Sequence, residues 1–300
     1  MKLLPVFCFC VFLSAKASFA DSVVLFVGDG MGVNHTRCAG KELFMDEMPV
    51  QTTFKTFSAD NAVTDSAAAG TAFACGIKTK NKFVALTPDE KPCVTLTEQS
   101  LANGLTTGLY STDKSTGTTP ACFFAHTVRS DEKRILQALE TAEKTTDIVL
   151  NLPDLKTNTR SFLQKAANTG KPFFLMIEQA HIDLESHRNN FDAAMAAVID
   201  LDEAVRIAAG FTKERPDMTV VVVADHETGG LTDDCLYTTD KHTGADVRLT
   251  AAGKHAALFV DVKDNTDVHA RIRAVLRMEP NGLSSKLTGF YRRMKAAFAD

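Results

Sequence analysis

The chain has no excess of basic residues, and this absence excludes one broad class of function. Its 33 lysines and arginines are outnumbered by 37 aspartates and glutamates, which gives a net charge of −4 at neutral pH. Because residues 1–20 contain Lys2 and Lys16 and no acid, the rest of the chain has two positive charges fewer and a net charge of −6. A basic surface that would neutralise nucleic-acid phosphates is therefore not expected.

Long apolar runs, linkers and internal repeats are also absent. The apolar stretch Leu3–Leu13 is shorter than the about 20 residues that a membrane-spanning helix needs, and no later run approaches that length. With Lys2 before it and Ser18-Phe19-Ala20 after it, the stretch predicts a signal peptide over residues 1–20, cleaved near Ala20. We expect an exported protein, periplasmic or secreted, without a stable membrane anchor, in which residues 21–300 form a single domain.

Cysteine is sparse and odd in number once the predicted signal peptide is set aside. Five cysteines remain, which in an oxidising compartment allows at most two disulfides and leaves one thiol. Their scattered spacing is not that of a metal cluster, and the sequence does not determine which of them pair. We interpret Cys75 as a small packed apolar residue. The five are Cys38, Cys75, Cys93, Cys122 and Cys235.

Short apolar runs alternate with helical patterns along the whole chain. This alternation predicts an α/β fold with a doubly wound, largely parallel central sheet covered by helices on both faces. The predicted strands are Ser22–Gly28, Thr106–Ser111, Asp147–Asn151, Phe173–Ile177, Thr219–Val223 and Ala257–Val262. The predicted helices are Ser66 to about Cys75, Thr95–Asn103, Asp131–Lys144, Ser161–Asn168, Asp192–Ala209 and segments near 267–278 and 283–298.

Acids lie at the ends of three of the predicted strands, namely Asp29, Glu178 and Asp225. A single carboxylate at a strand end is commonly a helix cap or a surface acid. In open α/β sheets, however, ligands bind at the carboxyl ends of the strands, and three acids at one edge indicate a ligand site. Asp183 and His187 are four residues apart and would share one face of a helical turn.

Neutral imidazole together with carboxylate suits zinc, whereas carboxylate and hydroxyl oxygens alone suit magnesium. On this chemistry we expect two zinc ions and one magnesium ion. One zinc would be bound by Asp183, His187 and His242, and the other by Asp29, Ser66, Asp225 and His226. Magnesium would be bound by Asp29, Thr119 and Glu178.

The stretch Asp65–Ala72 (DSAAAGTA) surrounds one serine with very small side chains at a predicted helix start. This pattern fits a nucleophile presented to a phosphate at a helix N-terminus. It fits equally a small-residue helix that packs closely on a neighbour, with Asp65 as its cap. In the first interpretation Ser66 attacks, Arg129 binds the phosphate oxygens and Asp65 orients the guanidinium.

Six segments, in order along the chain, together resemble the motifs of the alkaline phosphatase family. They are Phe26–Gly32 (FVGDGMG), Val63–Ala72 (VTDSAAAGTA), Thr119-Pro120, Glu178–His187, Ala224–Gly230 (ADHETGG) and His242-Thr243-Gly244. The resemblance implies hydrolysis of phosphate monoesters through a phosphoserine on Ser66, with two zinc ions and one magnesium ion, usually in a homodimer. The same superfamily contains phosphodiesterases and sulfatases, and a binding protein for metal or phosphate without turnover is the non-enzymatic alternative.

The chain departs from the family pattern at several places. Arg129 follows His126 by three residues rather than four, which leaves Arg134 as an alternative phosphate ligand. Gly117 stands where the family often has Asp or His, and Leu184 where Lys, His or Trp is usual. The chain is also short for the family, so a monomer is an alternative to the dimer.

Overall fold

A seven-stranded sheet forms the centre of the computed structural model, which describes residues 21–278. The strands are β1 Ser22–Gly28, β2 Val50–Phe54, β3 Phe83–Val84, β4 Thr106–Ser111, β5 Thr127–Val128, β6 Asp147–Val149, β7 Phe173–Gln179, β8 Met218–Ala224, β9 Glu227–Thr228, β10 His242–Thr243 and β11 Val247–Gly253. The helices are α1 Val33–Arg37, α2 Ser66–Cys75, α3 Leu96–Ala102, α4 Thr118–Ala121, α5 Glu132–Ala142, α6 Leu155–Thr169, α7 His181–Ser186, α8 Phe191–Gly210 and α9 Asn265–Val275.

The strand order in the central sheet is β2-β11-β8-β1-β7-β4-β6. The neighbouring pairs from β8 to β6 are parallel, and β11 runs antiparallel to both β8 and β2. β1 lies between β8 and β7, and the remaining strands of the sheet are added on both sides of these three. This reversal of strand order places the carboxyl end of β1 where open α/β sheets bind ligands.

Strands β1 and β8 form the middle of the sheet because their sequences are continuous apolar runs. Every residue of SVVLFVG and of MTVVVVA is buried. Such runs, without polar alternation, are typical of strands that helices cover on both faces. Each large apolar side chain buried there contributes about 1.5–3 kcal/mol to stability.

The helices pack in two groups against the sheet. On one side α8 contacts α6, α7 and α1 and packs on β1, β7 and β8. In the other group α2 contacts α3, α4 and α9, while α3 and α4 pack on β4 and β7. The predicted doubly wound, largely parallel sheet with helices on both faces is confirmed.

The predicted strand Ala257–Val262 is wrong. Residues Ala256–Phe259 form a 3₁₀ turn, and the last strand of the sheet is β11, earlier in the chain. Val260 and Leu258 are exposed, whereas the Val247, Leu249 and Ala251 side chains of β11 are fully buried. β11 alternates between buried and partly exposed positions at its start, so it lacks the continuous apolar run that marks the parallel strands.

A missed strand and an earlier helix start are among the other differences from the sequence prediction. The edge strand β2 lies in a stretch that was not predicted to be a strand, because its exposed polar residues (VQTTF) give little apolar signal. Helix α6 begins at Leu155 rather than Ser161, since the Asp154 side chain accepts hydrogen bonds from the Lys156 and Thr157 amides and caps the helix there. The predicted signal peptide and the predicted helix 283–298 lie outside the described residues.

The cysteines pair as Cys38–Cys235 and Cys75–Cys93, and Cys122 is a buried free thiol. The expectation of at most two disulfides with one thiol left over is therefore met. The interpretation of Cys75 as a packed apolar residue is wrong, because Cys93 lies within disulfide reach at a Cα–Cα distance of 6.0 Å. Among residues 21–278, no helix combines the length and the apolar character needed to cross a bilayer.

Candidate metal and phosphate site

Three acids lie at one edge of the central sheet because three parallel strands end there in register. Gly28 of β1 pairs with Ala224 of β8 on one side and with Gln179 of β7 on the other. Asp29 and Asp225 therefore follow adjacent strand ends, and Glu178 is the last residue but one of β7. The structure buries all three carboxylates almost completely.

The first group of donor atoms surrounds the Nε2 atom of His226. Asp225 Oδ2 lies 3.2 Å from this nitrogen and Asp29 Oδ1 lies 3.5 Å from it. The Ser66 hydroxyl oxygen is 3.2 Å from the same atom. The Asp225 side chain is held by the Gly30 and His226 amides, which both donate to its Oδ1 at 3.0 and 2.9 Å.

The second group consists of Asp183, His187 and His242. Helix α7 places the carboxylate of Asp183 one turn before His187, with 3.4 Å between Oδ2 and Nε2. His242 Nε2 lies 3.5 Å from Asp183 Oδ1 and 3.1 Å from His187 Nε2. The two groups are adjacent, because the rings of His226 and His242 stack with 3.6 Å between their centroids.

His187 and His242 are both half-buried, and their hydrogen bonds determine which of their ring nitrogens face the site. His187 Nδ1 lies 2.6 Å from the Asp240 carbonyl oxygen, and His242 Nδ1 lies 3.1 Å from that of Thr64. Since a carbonyl oxygen only accepts, each Nδ1 carries the proton and each Nε2 of the neutral ring offers a lone pair. Two lone pairs 3.1 Å apart repel unless a proton or a metal cation lies between them. Backbone carbonyls orient metal-binding histidines in this way.

Several buried carboxylate oxygens in the site have no hydrogen-bond partner, namely Asp29 Oδ1, Glu178 Oε1 and Asp225 Oδ2. Leaving such atoms unpaired is costly. Burial, followed by the neighbouring charges, raises the pKa of Asp225 to about 7 and that of Glu178 to about 8. Burial together with the charge of Asp225 also raises the pKa of Asp29. The side chains around these carboxylates therefore supply too little positive charge to balance them. Divalent cations bound by the carboxylates would balance their negative charge.

Two clusters of donor atoms that lie within 4.8 Å of one another overlap with the two zinc-type groups predicted from the sequence, although His226 and not His187 completes the first cluster. One cluster is Asp183 with His226 and His242, and the other is Asp29 with Asp225 and His226. His187 adjoins the first cluster and Ser66 the second. The structure thus brings together each of the seven residues expected to bind zinc.

The residues expected to bind magnesium lie beside the second cluster. Thr119, at the start of α4, has its hydroxyl 3.5 Å from Asp29 Oδ2. Glu178 is fully buried and accepts a hydrogen bond from the Ser111 hydroxyl. All three expected oxygen donors therefore lie at the same sheet edge, on elements α4, β7 and the loop after β1.

Ser66 is the first residue of α2, and Asp65 is the N-cap. Asp65 Oδ1 accepts from the Ala68 amide at 2.9 Å, while its Oδ2 accepts from the Lys82 amide at 2.9 Å and from Arg129 Nη1 at 3.0 Å. The close-packing interpretation of the small residues also holds, because a Cβ at Gly70 would lie 2.9 Å from Cys122 Sγ. The helix is thus packed tightly on α4 at Gly70 while its first residue faces the carboxylate and imidazole groups.

Arg129 is the arginine that the structure connects to the site. Its ion pair with Asp65 links it to the cap of α2, and its side chain remains 39% exposed. The Arg134 side chain makes no hydrogen bond or ion pair within the described residues, and its backbone amide donates to Asp131 at the start of α5. The spacing of three residues after His126 therefore still places a guanidinium against Asp65.

Two residues near the site were missed at the sequence level. The Thr228 hydroxyl donates to Asp183 and lies 3.2 Å from His226 Nδ1, which connects the two zinc-type groups. Asp113 follows β4 by two residues and raises the pKa of Glu178 through its charge, after the larger effect of burial. The signal for Asp113 was present, because it lies at the carboxyl end of a strand as Asp29 and Asp225 do.

A doubly wound sheet with paired carboxylate and imidazole groups at its ligand edge defines an α/β protein that binds metal ions. The sequence model of the alkaline phosphatase family matches residues 20–152 and 133–236, more than half of the chain. The chain belongs to the alkaline phosphatase family.

Individual relatives agree with this assignment. Alkaline phosphatase 3 of Bacillus subtilis (strain 168) is 27% identical in an alignment 284 positions long, which covers 70% of this chain and 61% of that protein. The alkaline phosphatase of Escherichia coli (strain K12) is 24% identical in an alignment 409 positions long, gaps included, which covers 87% of each chain. The matched region thus spans about three fifths of the Bacillus protein's length.

The fold is similar to that of solved alkaline phosphatases. The alkaline phosphatase from the Antarctic bacterium TAB5 superposes with a TM-score of 0.79 at 22% identity, over 87% of this chain and 99% of that one. The Thermus thermophilus alkaline phosphatase gives a TM-score of 0.76 at 18% identity, over 87% of this chain and 92% of that one. At these identities the likeness concerns the fold.

Proposed function

We propose that the chain hydrolyses phosphate monoesters with Ser66 as the nucleophile. The position of the Ser66 hydroxyl carries the proposal, since it lies 3.2 Å from His226 Nε2 at the edge of a buried carboxylate and imidazole cluster. As the first residue of α2, Ser66 also stands where backbone N–H groups favour an anion. Family membership supports the same chemistry.

Three divalent cations suit the donors. Asp183, His187 and His242 would hold one zinc; Asp29, Ser66, Asp225 and His226 would hold the second; Asp29, Thr119 and Glu178 would hold magnesium. A variant of the TAB5 alkaline phosphatase has Mg bound in a site designated M3. When bound, these ions would neutralise the negative charge of the carboxylates and of the phosphate and favour ionisation of the serine hydroxyl.

Hydrolysis would then proceed through two successive displacements at phosphorus, in which Ser66, Arg129 and Asp65 have different roles. In the first, a bond forms between Ser66 Oγ and phosphorus, the bond to the alcohol breaks, and the serine proton ends on the departing alcohol. In the second, water attacks the same phosphorus, which releases inorganic phosphate and restores the Ser66 hydroxyl. Arg129 binds the non-bridging oxygens, and Asp65 holds its guanidinium in place through the 3.0 Å ion pair.

Substrate class is tested by comparing kcat/KM on an aryl phosphate monoester, the matching diester and the aryl sulfate. We expect the monoester to be turned over fastest, because Arg129 and the cluster of positive ions favour a dianion over a monoanion. Faster turnover of the diester or of the sulfate would assign the chain to those activities of the superfamily. Binding of phosphate with no turnover of any ester would indicate a non-catalytic binding protein.

Replacing Arg129 with alanine is expected to lower kcat/KM for the monoester by about 10- to 100-fold, since hydrogen bonds to charged groups contribute about 1.5–3 kcal/mol. Arg134→Ala is the matched control, because its side chain has no hydrogen bond or ion pair in the described chain, and kcat/KM should be unchanged. A larger loss in Arg134→Ala than in Arg129→Ala would assign the phosphate to Arg134 instead.

We also propose that residues 1–20 are a signal peptide, that residues 21–300 form one catalytic domain, and that the product is exported to the periplasm or secreted. The two disulfides support export, because such bonds persist mainly in oxidising compartments. A homodimer, as is usual in the family, is proposed for the oligomeric state, with a monomer as the alternative. Fractionation of cells that express the full chain tests export, and retention in the cytoplasm would contradict it. Light scattering of the purified protein tests whether it is a homodimer or a monomer.

A further inference from the structure

Asp113 lies beside Glu178 because of the register between β4 and β7. Ser111, the last residue of β4, pairs with Glu178, and Asp113 follows two residues later. The Ser111 hydroxyl donates to Glu178 and accepts from the Asp113 amide at 2.8 Å. The Asp113 carbonyl oxygen accepts from the Asn151 amide at 2.8 Å. One serine side chain therefore bridges the backbone of Asp113 and the carboxylate of Glu178.

The two carboxylate oxygens of Asp113 have different surroundings. Oδ1 accepts a hydrogen bond from the Lys114 amide at 2.7 Å. Oδ2 has no hydrogen bond or ion pair within residues 21–278 and lies over Gly117, where an added Cβ would be only 2.6 Å from it. The Asp113 carboxylate thus occupies the space that a side chain at position 117 would need.

A second, independent observation points to a cation at this place. Glu178 is completely buried, and its Oε1 has no partner. The Ser111 hydroxyl joins the Glu178 carboxylate to the Asp113 amide, so the two acids are neighbours across the β4–β7 register. Neighbouring carboxylates, each with an open oxygen, are stabilised by a hard divalent cation, which prefers carboxylate, carbonyl and hydroxyl oxygens.

We propose that Asp113 supplies its Oδ2 oxygen to a magnesium site that it shares with Glu178, in place of the side chain that position 117 lacks. The inference rests on the magnesium site of the proposed function. It explains why glycine is present at position 117: with Asp113 in its observed rotamer, a larger residue would collide with the carboxylate. It also assigns a role to an acid that no other part of the proposed reaction uses.

The test is calorimetric titration of the zinc-loaded full chain with magnesium, with zinc and magnesium contents measured after dialysis. We expect Asp113→Asn to raise the magnesium dissociation constant by about tenfold or more and to leave the zinc content unchanged. Asp89→Asn, the same change at an exposed acid in a loop, is the control and should bind magnesium as the unmodified chain does. Unchanged magnesium binding by Asp113→Asn would overturn the proposal.

A reciprocal exchange provides a second arm. Gly117→Asp alone should weaken magnesium binding, because the two side chains compete for one space. Asp113→Gly combined with Gly117→Asp should restore a dissociation constant within about threefold of the original. Should Asp113→Asn fail to fold, the double variant decides: restored binding supports the proposal, and lost binding overturns it. Failure of the unmodified chain to retain zinc would instead contradict the proposed function, so the two failures are distinguishable.

Discussion

Replacing Ser66 with alanine is expected to lower kcat for an aryl phosphate by about four orders of magnitude or more. Removal of a nucleophile has effects of this size when the remaining groups act only through it. The other donors to the site, the carboxylates and imidazoles, do not supply a substitute hydroxyl on α2. The measurement is the initial rate of alcohol release by the zinc-loaded protein at saturating substrate.

The control for this prediction is Ser161→Ala, at an exposed serine of α6, a helix that carries none of the candidate site residues. Its kcat should equal that of the unmodified chain. Zinc content should fall by no more than one ion in Ser66→Ala, since Asp29, Asp225 and His226 remain as donors. If Ser66→Ala retained even a tenth of the original kcat, a nucleophilic role for Ser66 would be excluded.

Removal of the metal ions by a chelator should abolish turnover and lower the melting temperature by about 10 °C. Zinc at about 1,000 times its dissociation constant contributes about 4 kcal/mol to folding. In a domain of this size each kcal/mol corresponds to about 2–4 °C. Both properties should return when zinc and magnesium are added back. Full turnover by protein whose metal content is below a tenth of an ion per chain would contradict the account.

The metal-free protein should also lose stability between pH 7 and pH 9. Burial raises the pKa of Glu178 to about 8, so the folded state holds a proton there that the unfolded state has released. The hydrogen bond to Asp183 raises the pKa of His187 to about 9, so its stabilising charge is lost as the pH rises through that value. Both effects make the unfolded state bind fewer protons, and stability therefore falls with rising pH.

Bound zinc and magnesium together should remove this dependence, because Glu178 is then ionised on magnesium and His187 is neutral on zinc across the whole range. Melting temperatures of the metal-free protein and of the protein loaded with zinc and magnesium, at pH 7 and pH 9, test the prediction. The metal-free protein should melt at a lower temperature at pH 9, while the loaded protein should show little change. A metal-free protein that is more stable at pH 9 would show that the buried carboxylates are compensated by other groups.

The inner parallel strands β1, β7 and β8 could be predicted from the sequence because they are buried on both faces. The run Ser22–Gly28 matches β1 at both ends, and Thr106–Ser111 matches β4. β2 and β11 could not be found in the same way. Their pairing partners are distant in the chain, and their residues include polar side chains on a partly exposed face.

The site was only partly readable from the sequence. Adjacent motifs indicated the donors, since acids directly after buried strands must meet at one sheet edge. The orientation of His187 and His242 was not readable, because it depends on the carbonyl oxygens of Asp240 and Thr64, which belong to other segments. The pairing of Cys38 with Cys235 likewise joins positions 197 residues apart and requires the fold.

The offset of Arg129 relative to the family pattern shows a further limit of spacing arguments. Arg129 follows His126 by three residues, one fewer than in the family pattern. The short β3–β5 pairing, with Phe83 opposite Val128, carries Arg129 next to Lys82 and thus to Asp65. A contact made by a loop is set by such local pairing and not by the number of residues in it.

The most direct test of the account is a covalent phosphate on Ser66. The zinc-loaded protein is mixed with an aryl phosphate monoester, quenched in acid, digested and analysed by mass spectrometry. The account predicts a peptide heavier by one phosphoryl group, with the group on Ser66 and on no other serine or threonine. Turnover of the monoester with no phosphopeptide at Ser66, or with the phosphoryl group on another residue, would contradict it.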